Sequence, residues 1–281
     1  MRTCLIVTTY NWPGALHLTL ASAARQTLSP DHIVVADDGS GPATGSVIER
    51  WRARGLPLTH VWQEDDGFRL ARSRNRAIAA TDADYIVLVD GDMILHPQFV
   101  ADHVRCARPD LFIQGARPQL SPAMTAQLLR AGAAPNIGPF TPGLQRRPYA
   151  LRSRLLSRMF SRTKAALGGI QGCNQSFWRS HAIQVNGYDE RFTAWGPEDR
   201  EFVARLLHLG LRRRYVRHMA IAFHLHHASR APGVPNPFDR LLHETLAQRA
   251  TWTEHGLTAH LHAPEAPRRD PAQAVPLRYG R

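Results

Sequence analysis

The stretch Tyr85-Ile86-Val87-Leu88-Val89-Asp90-Gly91-Asp92 decides the fold. Its first five residues are aliphatic or aromatic, too few for an ordinary helix and bounded by turn residues, so they read as a strand covered on both faces. Two carboxylates then follow, one residue apart, at the carboxyl end of that strand. This is where an open α/β sheet binds its ligands. Acids so placed can hold a divalent cation against the diphosphate of a nucleotide, since Mg²⁺ and Mn²⁺ take oxygen ligands and share them with phosphates.

Three further apolar runs precede it, Cys4 to Thr8, His32 to Ala36 and Leu58 to Trp62, with helical stretches between several of them. The alternation predicts an α/β fold with a mostly parallel sheet and right-handed crossovers. The first helix is expected to begin near Pro13 and to turn Leu16, Leu20 and Ala24 inward. A second acidic pair, Asp37-Asp38-Gly39-Ser40, closes the second strand at the same edge as Asp90 and Asp92. A carboxylate there could accept from a nucleobase N–H, with Thr9 and Tyr10 lining the base pocket; a turn cap is the competing reading. The turn after the first strand, Thr8 to Gly14, carries neither a dinucleotide fingerprint nor a phosphate-loop lysine, which counts against NAD(P) enzymes and phosphate-loop NTPases.

At 281 residues the chain can bury a full core. The expected division is one domain over 1–262, with a nucleotide-binding half (1–116), a basic and partly irregular connection (117–164) and an acceptor-binding half (165–262), followed by a Pro-rich disordered tail (263–281). With no long apolar segment and no leader-like start, the expectation is a soluble, cytoplasmic protein. Cys4, Cys106 and Cys173 show no metal or disulfide spacing.

The formal charge is +12, and no acid occurs between Asp110 and Asp189. The densest basic part, Arg146 to Lys164, interleaves arginines with Leu151, Leu155 and Met159 at i, i+4, i+8. It reads as a helix packed on the core, as a surface for anionic membrane or an anionic glycan, or as a nucleic-acid patch. None of the usual aromatic-basic modules of nucleic-acid readers is present, so no nucleic acid is expected.

In order along the chain, Thr9-Tyr10-Asn11, Asp37-Asp38-Gly39-Ser40, the stretch Asp65 to Ile78 with Arg74-Asn75, and Asp90-Gly91-Asp92 resemble the family 2 glycosyltransferases of GT-A fold. Gly168 to Phe177, then Asn186-Gly187-Tyr188-Asp189-Glu190, then Trp195-Gly196-Pro197-Glu198-Asp199 are similar to the C-terminal half of beta-1,4-galactosyltransferases and to bacterial chondroitin polymerase transferase domains. The resemblance spans roughly residues 3 to 227.

It implies a GT-A, Rossmann-like sheet flanked by helices, and an inverting, metal-dependent transfer of sugar from a nucleotide-sugar, a UDP-sugar first, to a hydroxyl of a saccharide or glycolipid in surface polysaccharide or glycoconjugate synthesis. Asp199 is then the general base, Glu198 assists catalysis or holds the acceptor, Trp195 meets the acceptor, and Arg74 steadies the donor. Asp92 and His224 hold Mn²⁺ or Mg²⁺, with His226 in reserve; Asp90 contacts the donor. Independently, an acceptor hydroxyl needs a carboxylate to take its proton. Bland readings stand beside these: a structural salt bridge for Arg74, dipole-favoured first-turn acids for Glu198 and Asp199, and a zinc-binding use of the histidines. A metal-dependent nucleotidyltransferase and a non-enzymatic polyanion-binding module are the alternative functions.

Overall fold

A computed structural model describes residues 1–133, 135–228 and 236–261. The expected disordered tail, 263–281, lies outside the described residues. Among the described residues ten strands are formed: β1 (Thr3–Thr9), β2 (His32–Asp37), β3 (Leu58–Trp62), β4 (Tyr85–Asp90), β5 (Met93–Leu95), β6 (Leu111–Gln114), β7 (Arg162–Lys164), β8 (Asn174–Trp178), β9 (Arg212–Tyr215) and β10 (Ala222–His224). Eight make one sheet in the order β3-β2-β1-β4-β8-β6-β9-β7, and β10 pairs with β5 apart from it. The pairs β3-β2, β2-β1, β1-β4 and β6-β9 are parallel, while β8 runs antiparallel to both β4 and β6. The mostly parallel half is the half that the alternating apolar runs predict.

The reason those runs are continuous is visible in the packing. Side chains alternate across a strand, and here both faces are covered: Cys4, Ile6, Ile86 and Leu88 enter one apolar cluster, while Leu5, Val7, Val87 and Val89 enter another. Helices supply the cover. They are α1 (Pro13–Ala23), α2 (Pro42–Ala53), α3 (Leu70–Ala79), α4 (Phe99–Cys106), α5 (Pro122–Ala131), α6 (Arg154–Phe160), α7 (Arg179–Gln184), α8 (Glu198–His208), α9 (Asp239–Gln248) and α10 (Thr258–Leu261).

Two details differ from expectation. α1 starts at Pro13, but it ends at Ala23, which is buried, and Ala24 is exposed beyond it. The connection 117–148 is more ordered than its Pro and Gly content suggests. Ser121 caps α5 by accepting from the Met124 N–H at 3.2 Å, and Gly132 closes the helix in the left-handed region. Leu120, Leu128, Ile137 and Leu144 then pack with Leu18, Ile94 and Phe223 in a third apolar cluster. Among the described residues no helix is long and apolar enough to cross a membrane.

Candidate active site

Strand register brings the acids together. β1 pairs on one side with β2, Thr9 opposite Asp37, and on the other with β4, Thr8 opposite Asp90. Because β2 and β3 lie to one side of β1 and β4 to the other, the crevice beyond β1 and β4 is a topological switch point. A cleft of about 310 Å³ opens there, lined by Thr8, Thr9, Tyr10, Trp12, Asp38, Phe68, Leu70, Asp90 and Asp92 together with Gly67 and Gly91. Of the residues expected to meet the donor, Thr9, Tyr10, Asp38 and Asp90 line it. Asp37 and Arg74 lie outside its lining.

Asp37 is buried, accepts from the Ser40 N–H at 2.8 Å and meets His60 Nε2 at 2.8 Å. Asp38 accepts from Gln63 Nε2 at 2.6 Å and from the Arg69 N–H at 2.9 Å. Burial raises its pKa, and those two hydrogen bonds work the other way.

Gly91 is required by close approach, since a Cβ there would stand 2.5 Å from the Thr8 carbonyl oxygen. The tight passage turns the chain from β4 directly into β5. β5 then pairs antiparallel with β10, Met93 opposite His224, and the Leu225 N–H donates to the Asp92 carbonyl at 2.9 Å. This small sheet is what sets His224 beside Asp92. Nε2 of His224 and Nε2 of His227 are each 3.3 Å from Asp92 Oδ2, and ligand atoms of the three residues all lie within 4.8 Å of one another. Asp92 Oδ1 is buried without a hydrogen-bond partner. A carboxylate with one orphaned oxygen and two imidazoles, beside a cleft, is a donor set that fits Mn²⁺ shared with a diphosphate, and fits the strictly oxygen-seeking Mg²⁺ less well.

The third corner is His227 and not the reserve candidate His226. Two-residue alternation holds only while the strand continues, and β10 ends at His224. His226 is exposed, and its N–H donates to Thr125 Oγ1 at 2.8 Å.

On the other side of Asp90, α3 and α8 bring in a cation and two more acids. Arg74 is 1% exposed. Its Nη1 donates to Asp199 Oδ1 at 2.5 Å, and it lies 3.5 Å from Asp90 Oδ1 and 3.6 Å from Glu198 Oε1. Burial opposes the guanidinium charge, but Asp199, Tyr188, Asp90 and Glu198 raise its pKa overall. Burial likewise pushes the Asp90 carboxyl up, Arg74 pulls it down and Asp92 pushes it up again. Thr8 Oγ1 donates to Asp90 Oδ1 at 2.9 Å.

Glu198 and Asp199 open α8, where the helix dipole favours carboxylates. Their environments differ. Glu198 is buried with Oε2 unpartnered, and burial followed by repulsion from Asp199 pushes its pKa up to about 8. Asp199 is held at both oxygens, Oδ1 by Arg74 and Oδ2 by the Gly172 N–H at 2.8 Å. Each oxygen keeps a second lone pair. Gly172 was not singled out from the sequence, yet a Cβ on it would meet the Asp199 carboxylate at 2.1 Å. Trp195, 57% exposed, stands three residues before Glu198, with its carbonyl accepting from Asn236 Nδ2 at 2.8 Å.

A profile of the family "Glycosyl transferase family 2" matches residues 4–119, and one described as "N-terminal domain of galactosyltransferase" matches residues 156–228. Validoxylamine A glucosyltransferase of Streptomyces hygroscopicus subsp. limoneus is 29% identical over 224 residues, which is 72% of this chain and 47% of that protein. Chondroitin synthase of Escherichia coli is 25% identical over 258 residues, 84% of this chain and 36% of that protein. The chain thus spans less than half the length of either relative. A solved mannosyltransferase from Pyrobaculum calidifontis, in complex with GDP-Man and Mn²⁺, matches with a TM-score of 0.55 and 19% identity over 87% of this chain and 69% of its own. At that identity the likeness is one of fold. The first half of the chain is thus similar to the family 2 glycosyltransferases and the second to a galactosyltransferase domain, on a sheet with the GT-A fold.

Proposed function

We propose that this chain transfers a sugar, with inversion, from a nucleoside-diphosphate sugar to a hydroxyl of a saccharide or glycolipid acceptor. The observation that carries the reading is the convergence on one sheet edge of the Asp92, His224 and His227 triplet and the Asp199, Arg74 and Asp90 cluster. Asp92, His224 and His227 would hold Mn²⁺ or Mg²⁺, which supplies positive charge where the departing diphosphate becomes negative.

The cleft residues Thr9 and Tyr10 receive the nucleoside beside Asp38, whose oxygens brace the loop carrying Gln63 and Arg69, and Asp90, held by Thr8 and Arg74, faces the donor. Asp199 takes the acceptor proton through a lone pair left free by Arg74 and Gly172. With its pKa pushed to about 8, Glu198 carries a proton near neutral pH. It therefore donates a hydrogen bond to the acceptor sugar and does not compete as a base, while Trp195 offers its ring to the sugar's C–H groups. The favoured donor class is a UDP-sugar. The favoured setting is cytoplasmic synthesis of a surface polysaccharide or glycoconjugate, in keeping with the name of the chondroitin synthase relative.

Thermal unfolding with UDP, GDP and dTDP, each with and without Mn²⁺, tests the reading. A ligand at about 100 times its Kd stabilises by roughly 2.7 kcal/mol, worth about 2–4 °C per kcal/mol in a domain of this size. The expected result is a Mn²⁺-dependent shift with UDP. No shift with any nucleotide, from folded protein, overturns it, and pyrophosphate as the product would indicate nucleotidyl transfer instead.

A further inference from the structure

Residues 146–164 carry an exposed apolar row. The Leu151, Leu155 and Met159 stripe is consistent in sequence with a helix laid on the core, yet in the structure it faces outward. Leu155 is 68% and Met159 66% exposed, Leu151 and Phe160 are exposed as well, and Ser157 is the one buried residue of α6. Leu151 lies just before α6 and the others on it, and exposed apolar side chains clustered in this way mark a contact surface.

Beside this row lies a second cavity of about 310 Å³, walled by Arg105, Arg108, Arg154, Arg158 and Arg214 with Ser157. Among the described residues none of these five arginines forms an ion pair with a carboxylate. The nearby acids are already committed: Asp102 takes Arg152 through two hydrogen bonds of 2.9 and 2.6 Å, and Asp110 takes Arg212. Arg214 Nε is buried without a hydrogen-bond partner. Five like charges around a cavity, with a buried donor unsatisfied, call for an anion carrying several acceptor oxygens. Guanidinium forks match phosphate in particular.

Two features select the phosphate's source. Leu155 and Met159 follow Arg154 and Arg158 by one residue each, so on a helix the apolar row borders the arginine row. A nucleic acid or a glycan offers nothing to exposed Leu155 and Met159, whereas a bilayer offers phosphate and hydrocarbon at adjoining depths. The surface is also pre-set, because Arg152 is clamped to buried Asp102, the Ser153 N–H donates to the His218 carbonyl at 2.9 Å and the Arg217 N–H donates to Ser161 Oγ at 3.1 Å. Little ordering is left to lose on contact.

We propose that the arginine cavity and the α6 apolar row form one docking site for an anionic phospholipid membrane, the cavity taking a headgroup phosphate and Leu155, Met159 and Phe160 entering the acyl boundary. The site is independent of the transfer reaction, so its test uses no turnover. The full chain is sedimented with vesicles of phosphatidylcholine, or of phosphatidylcholine with about one quarter phosphatidylglycerol, at about 0.15 M salt. Binding is expected on the anionic vesicles and not on the neutral ones.

Arg154→Ala with Arg158→Ala should weaken it roughly 25-fold, about fivefold per arginine. Leu155→Ser with Met159→Ser should weaken vesicle binding about tenfold or more while retention on heparin stays unchanged. All four positions are exposed, and thermal midpoints of the variants check the fold. Equal binding to neutral vesicles overturns the proposal, as does wild-type vesicle binding by either double variant. Apolar-row variants that keep full vesicle and heparin binding would assign the cavity to a polyanion.

Discussion

Asp37-Asp38 and Asp90-Gly91-Asp92 close two parallel strands at one edge of one sheet, yet the protein treats them in opposite ways. The first pair is satisfied from within: Ser40, His60, Gln63 and the Arg69 backbone reach all four oxygens between them. The second pair is left short. Asp90 is crowded by Asp92 and Asp199, and Asp92 keeps a buried oxygen with no partner. A buried carboxylate that its own fold neutralises braces a loop, whereas one left unneutralised is set to receive something from outside.

The largest expected effect breaks the second pair. Asp92→Ala should lower turnover about 10³-fold, the equivalent of roughly 4 kcal/mol of transition-state stabilisation, and should abolish the Mn²⁺-dependent nucleotide shift. Its thermal midpoint should hold or rise, because the substitution removes an unsatisfied buried oxygen. Full turnover in the purified variant would erase the contrast between the pairs.

Asp38→Ala should do the reverse. It strips the Arg69 N–H of its partner and leaves Gln63 Nε2 only its 3.4 Å bond to the Arg69 carbonyl, at about 1–3 kcal/mol for a buried donor left unpaired. A stability loss of about 2–3 kcal/mol is expected in denaturant unfolding, with the metal response intact. An unchanged unfolding midpoint together with lost nucleotide affinity would move Asp38 from the loop to the ligand.

The strands and their shared edge were legible because a doubly covered strand has to be apolar throughout, and Tyr85 to Val89 is. What separates the two acid pairs was not legible. Apart from Ser40, three residues on, the partners of Asp37 and Asp38 lie on β3 and the loop after it, between 23 and 31 residues downstream, and become neighbours only through the β2–β3 register. Gly172 is similarly mute, since nothing local marks the approach of Asp199 from 27 residues away. The histidines expose the limit of periodicity: His224 and His226 share a face only in a strand that continues, and this one stops. The stripe at 151–159 has helical spacing, which reports that a face is apolar and not what covers it.

That histidine reading gives a narrower contrast. His227→Ala should weaken Mn²⁺ binding by at least the roughly 10–100-fold that loss of even an outer metal partner costs, while His226→Ala should leave it near wild type. Calorimetric titration of metal with the nucleotide present separates them. Equal losses would return His226 to the site.

Glu198 is the third solution to the same problem, and the mildest to disturb. Asp37 and Asp38 are satisfied by protein donors and Asp92 is proposed to take a cation, whereas burial pushes the pKa of Glu198 from 4.5 up to about 8, which favours its protonated form. Between those values the folded chain holds a proton that the unfolded chain has released. Stability contributed by this group therefore falls as pH rises through the window and levels off above about 8, with a limiting slope of about 1.4 kcal/mol per pH unit. Glu198→Gln cannot titrate and should lose that component of the slope, so the wild type and the variant should diverge progressively from pH 5 to 8 in denaturant unfolding. If the two curves stay parallel, Glu198 is ionised in the fold, paired with Arg74 at the expense of Asp199, and the assignment of proton donor and proton acceptor between the two neighbours must be exchanged.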